Sequence, residues 1–248
     1  MKKKFILFAA ACLAALIMGS CAPAAENSEV QTNVPEATAP SEVKRLEINT
    51  MTHREGELVF SCSPKDFIDS FNSYYRKDMG SDFFKPIDEW KAVEYDTSIH
   101  YGGNTLVYTF KADENIWSLP SVSLYVPPNS DYIQEVAVEF DDHSYSSGSY
   151  SAYERLCFYA LKVFFGDLPD ESITGIYREL NQLAYDKFRA GDPMYGYNPT
   201  PHALYYRGEI GVYPYFATGA KVRLCIIPVN EEFLEEYAER GVPIQEIQ

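Results

Sequence analysis

The best local candidate for chemistry in this chain is Asp141-Asp142-His143, two carboxylates and an imidazole at the end of an alternating apolar stretch. Such groups could coordinate a cation or move a proton, which makes Asp141, Asp142 and His143 weak metal-site candidates. The plainer reading is a solvated polar loop. Ser144-Tyr145-Ser146-Ser147-Gly148-Ser149 follows directly, and nothing nearby fixes a ligand spacing.

A second candidate is aromatic. The chain has 20 Tyr, and the segment Met194-Tyr195-Gly196-Tyr197-Asn198-Pro199-Thr200-Pro201-His202 runs into Tyr205-Tyr206. Tyrosines on a rigid loop make flat amphipathic surfaces of the kind that bind sugars or peptides, so Tyr195, Tyr197 and Tyr205 are candidate ligand-binding residues. The competing reading packs them over a sheet edge with their hydroxyls in water. Trp90 and Trp117 read as core or core-edge residues.

Other chemistry is not legible. There is no Gly-x-Ser-x-Gly elbow, no Gly-x-x-x-x-Gly-Lys phosphate loop, no His-Glu-x-x-His helix and no Cys-x-x-Cys pair. The histidines His53, His100, His143 and His202 are scattered. No catalytic residue and no cofactor is therefore expected, although triads assemble in space and need no sequence motif. Cys62, Cys157 and Cys225 read as buried thiols, with a Cys62–Cys225 bridge as the one pairing that neighbouring strands would allow.

The elements that must position these residues are clearer. Ser63-Pro64-Lys65-Asp66 supplies a cap, a proline at the first helical position and a first-turn acid. Phe67, Ile68, Phe71, Tyr74 and Tyr75 behind it share a face, which predicts a helix from about 64 to 77. Ser151-Ala152-Tyr153-Glu154 reads as a capping box opening a second helix that Gly166 stops. A third starts near Pro169, and a short fourth after Asn230 buries Phe233, Leu234 and Tyr237. Its acids, Glu231, Glu232, Glu235 and Glu236, suit a helix start and a solvated face.

Strands are expected at 58–60, 90–95, 105–110, 121–126, 135–140, 203–206, 211–216 and 222–227. Pro214 argues that the strand carrying it is an edge or bulged. Runs of strands followed by helices indicate an α+β fold, an antiparallel sheet with helices packed on one face. The helix-then-strands order recurs over 63–140 and 170–227, which leaves open a duplicated unit.

Compartment follows from the leader. Met1-Lys2-Lys3-Lys4 precedes an apolar stretch from Phe5 to Met18 that is short for a membrane span. Leu16-Ile17-Met18-Gly19-Ser20-Cys21 resembles a bacterial lipobox, which implies a signal peptide over 1–20 and lipid attachment at Cys21. Residues 21–42, rich in Ala, Pro, Glu, Thr and Ser, read as a disordered tether reaching roughly 25 Å. Residues 43–248 then form a single globular domain. The whole pattern resembles small uncharacterised lipoproteins of anaerobic gut bacteria.

The formal charge of −15 becomes −18 once Lys2, Lys3 and Lys4 leave with the leader, which contains no acid. Such a surface repels nucleic-acid phosphates, so no nucleic-acid partner is expected. The expectation is an extracytoplasmic protein, tethered to the cell membrane through its lipid, binding a glycan, a peptide or an envelope partner without catalysis. The alternatives are a secreted hydrolase of cell-wall or dietary polymers and a structural subunit of an envelope assembly.

Overall fold

The computed structural model describes residues 42–54, 56–96, 104–111, 119–141, 147–190, 201–217 and 221–248. Of the expected functional residues, Cys21, Asp142, His143, Tyr195 and Tyr197 lie outside the described residues, as does Trp117. The leader and most of the tether lie outside them as well.

The elements run β1 (Thr50–Thr52), β2 (Leu58–Phe60), α1 (Pro64–Met79), β3 (Lys91–Asp96), β4 (Asn104–Lys111), β5 (Ser121–Val126), β6 (Glu135–Asp141), α2 (Ser147–Phe164), α3 (Asp170–Arg189), β7 (Leu204–Arg207), β8 (Ile210–Ala217), β9 (Lys221–Pro228), α4 (Glu231–Glu239) and β10 (Ile244–Glu246). The fold is α+β. β1 and β2 form a small antiparallel pair, and the other eight strands form one sheet in the order β10-β7-β8-β9-β6-β5-β4-β3. All its pairings are antiparallel except β10 with β7, so the sheet is mixed. Two meanders, β3 to β6 and β7 to β9, meet at their last strands, β6 against β9.

Alternation decides which side of the sheet is apolar. Val122 and Leu124 of β5, Val136, Val138 and Phe140 of β6, and Val222, Leu224 and Ile226 of β9 share one face and are buried in the main core. α2 and α3 pack on this face. α1 lies against α2, and its Phe71 ring, 4.3 Å from Phe84, continues through Phe84 to Phe110 of β4 at 5.0 Å. Trp90 belongs to the same aromatic cluster, its indole N–H donating to the Lys85 carbonyl.

α1 begins where the cap residues require. The Ser63 hydroxyl accepts the Asp66 N–H at 3.2 Å, and Gly80 ends the helix at φ +77°. Its five expected core residues are all buried. Buried Asn72 takes the Phe83 and Phe84 N–H groups on its Oδ1 and donates to the Phe84 carbonyl, so the turn after the helix is held by one side chain.

Three sequence expectations need correction. α2 starts at Ser147, which places Ser151 inside the helix; Tyr150 packs against Phe140 and Tyr153, and that contact favours continuing the helix back past the capping box. Cys62 and Cys225 are both free. Cys62 belongs to the helix-side core and Cys225, in register with Ala137, points to the other face of the sheet, so no bridge can form. Finally, β8 is interior. Its pairing with β7 ends at Val212, two residues before Pro214, so the missing N–H falls beyond the end of β7.

Candidate functional site

The register of five strands builds a polar site on the face of the sheet opposite α1 to α3. Thr109, Ser123, Ala137, Cys225 and Tyr213 line up across β4, β5, β6, β9 and β8. Four of these side chains are small, and Ser123, Ala137 and Cys225 are buried. On one side of this row Glu139 faces Arg223; on the other, Tyr125 faces Glu135.

Arg223 joins the two flanks. Its Nε donates to Glu139 Oε1 at 2.7 Å and an Nη group contacts the same oxygen, while Nη1 lies 3.7 Å from Glu135 Oε1. The guanidinium also lies 5.7 Å from the centre of the Tyr125 ring. Glu135 is 3% exposed, and a carboxylate is rarely buried to that degree unless, as here, a cation lies near it.

Electrostatics fixes what this cluster can do. Burial opposes the Arg223 charge, yet Glu139, ahead of the neighbouring tyrosine, thiol and Glu135, outweighs it and holds the guanidinium pKa well above its usual value. Burial, then Glu135, pushes the Cys225 thiol far up. Burial likewise raises the Tyr125 phenol. Every shifted group here is moved away from neutrality, so the cluster offers no thiolate and no phenolate at pH 7. It braces the junction of the two meanders with a guanidinium held by two carboxylates.

Beside this cluster lies α4, started by Asn230, whose Oδ1 accepts the Phe233 N–H at 2.8 Å. Tyr237 stacks on Phe233, and Arg240 sits 4.8 Å above the Tyr237 ring. The residues expected to be buried here, Phe233, Leu234 and Tyr237, are half-buried. The opposite stripe of α4, with Val229, Tyr206 and Ile244, borders an open cleft of about 530 Å³. Gly208, at φ +57°, makes the β7–β8 turn at its end.

The sequence candidates fall differently. Asp141 closes β6, in register with Lys221, while its partners Asp142 and His143 lie beyond the described residues. Tyr205 is a correction: it is 8% exposed, in the core under α3. Burial, then a hydrogen bond to Glu179, pushes its phenol to about 12. Tyr206, one residue on and therefore on the other face, lines the cleft instead. Among the described residues, no three His, Cys, Asp or Glu side chains converge as a metal site.

Sequence reasoning missed the Arg223 cluster, although a signal was present. Arg223 interrupts Val222-Arg223-Leu224-Cys225-Ile226-Ile227, and Glu135 and Glu139 occupy same-face positions of an otherwise apolar strand. Opposite charges on two central strands are expected to pair. Compared with known proteins, the chain matches no family model, no curated protein and no solved structure.

Proposed function

We propose that the chain is an extracytoplasmic lipoprotein, anchored through Cys21, whose domain binds a glycan, a peptide or an envelope partner and does not catalyse. The observation that carries the non-catalytic part is the Arg223 cluster. The ionisable groups of this cluster are engaged with one another, and its thiol and phenol are pushed away from the pH at which they would react. The anchor rests on the leader's lipobox resemblance, and no helix among the described residues is long and apolar enough to cross a membrane.

Two experiments test the two halves. Cys21→Ser should move the protein from the membrane fraction to the soluble one and abolish labelling with a fatty acid; unchanged labelling would sink the anchor. Thermal unfolding of the full chain against glycans, wall fragments, peptides and divalent ions tests binding. A ligand at a hundred times its dissociation constant adds about 2.7 kcal/mol. That raises the midpoint by roughly 5–10 °C for a domain of this size. Turnover of any panel compound would overturn the non-catalytic reading.

A subunit of an envelope assembly is the second reading, favoured by the outer edge of β3. Lys91 to Glu94 are exposed there, including Val93 at 36%, and among the described strands β3 pairs with β4 alone. Lys91 and Glu94 are the charges that natural edges use against such pairing, so this reading ranks below the first.

A further inference from the structure

We propose that the cleft between α4 and the β7–β10 edge docks an extended basic segment of a partner protein, holding a Lys or Arg side chain between an apolar floor and a carboxylate rim. This rests on the binding-module reading and names the chemistry of its partner.

The cleft has two parts. Val229, Leu234, Ala238 and Ile244 supply an apolar floor, with Tyr206 beside them. Glu231 and Glu235, one turn apart on α4, stand on the same stripe as Leu234 and Ala238. No Lys, Arg or His lines the cleft, and Glu231 and Glu235 make no ion pair among the described residues. The third carboxylate, Glu209, already accepts the Thr50 N–H on its Oε2.

A long cationic side chain matches both parts at once. Its methylene stem covers apolar surface while its head stays at the wet carboxylates. A phosphate or a carboxylate ligand would suit the helix N-terminus, which carries about half a positive charge. Here Glu231 and Glu232 in the first turn more than cancel it.

Three further features favour a protein segment over a small amine or a second copy. The cleft, at about 530 Å³, is open to solvent, a shape that suits the side of an extended chain more than an engulfed small molecule. β10 borders it and, among the described strands, is paired with β7 alone, so its other side offers backbone groups to an extended chain. The formal charge of −15 steers cationic segments inward and repels another copy of this chain.

The test uses the full chain in detergent and a labelled short peptide of alternating Leu and Lys, with fluorescence anisotropy as the readout. Its counterpart of alternating Leu and Glu, and spermine, are the comparison probes. The Leu-Lys peptide should bind, and Glu231→Gln with Glu235→Gln should weaken it about tenfold. Glu232→Gln with Glu239→Gln removes the same charge from α4 positions outside the cleft and should leave binding unchanged. All four sites are exposed, so folding is not at stake, and circular dichroism verifies it.

Equal loss in both double variants would reduce the effect to general charge and overturn the proposal. So would binding of the Leu-Glu peptide with the same affinity. Spermine competing as well as the peptide would assign the cleft to small cations, which also overturns it. A silent peptide beside a glycan hit in thermal unfolding would sink this inference alone; silence in both would sink the binding reading too.

Discussion

The two faces of the eight-stranded sheet are built from the same strands and solve different problems. The face under α1 to α3 is apolar, and the rings packed over it from α1 and its following turn, Phe67, Phe71 and Phe84, are all buried. The opposite face carries small side chains braced by Arg223 between Glu135 and Glu139, with the short α4 beside it. Burial of rings gives stability that no ligand is needed to complete. The polar groups of the opposite face are largely paired with one another, so the proposed recognition falls to the cleft beside α4. Stability and recognition are therefore expected to separate by face.

The largest effect should come from the helix face. Phe71→Ala removes a fully buried ring that touches α2 and the 83–84 turn. It should cost about 3–5 kcal/mol in urea unfolding. A loss under 1 kcal/mol would break the contrast between faces. On the opposite face, Arg223→Met removes the cation that compensates Glu135 and Glu139, and should cost about 1–3 kcal/mol because part of the cluster still reaches water. An unchanged or raised stability would show that the ion cluster is no brace.

Gly211 sharpens the comparison at the cleft wall. An added Cβ would lie 2.6 Å from Val229 Cγ1, in the cleft floor, and 3.1 Å from Leu204 Cδ1. Gly211→Ala should cost about 1–2 kcal/mol and displace Val229. If peptide binding survives that displacement unchanged, the floor is not part of the site.

The smallest effect is electrostatic and sits on α1. The Ser63 hydroxyl, then Lys44, holds the Asp66 carboxyl below its usual value. A folded value below the unfolded one gives stability that is complete above about pH 4 and is lost as pH falls through the folded value. Asp66 is about half exposed, so solvent screening limits its share to roughly a few tenths of a kcal/mol. Asp66→Asn should flatten the fall of the urea midpoint below pH 4 by that amount. The variant should differ from the parent more at pH 7 than at pH 3; equal differences at both would show that Asp66 carries no such share.

Legibility in the sequence followed the range of the interactions. α1 was legible because Ser63, Pro64 and Gly80 act within a turn of the helix ends they define. The alternating strands were legible for the same local reason. The Glu139–Arg223 pair joins positions 84 residues apart and exists only because β6 meets β9, a pairing that no local pattern encodes. β1 and β10, three residues each, are too short to show a period. The burial of Tyr205 was not legible because Leu204 beside it is buried too, so no polar alternation marks its face.

Hydrogen exchange of the full chain, with and without the strongest ligand from thermal unfolding, tests the division between the faces most directly. Slowed exchange in the β7–β8 turn, α4 and β10, with α1 and α2 unchanged, is the predicted result. Protection confined to α1 and α2, with the α4 side unaltered, would contradict it.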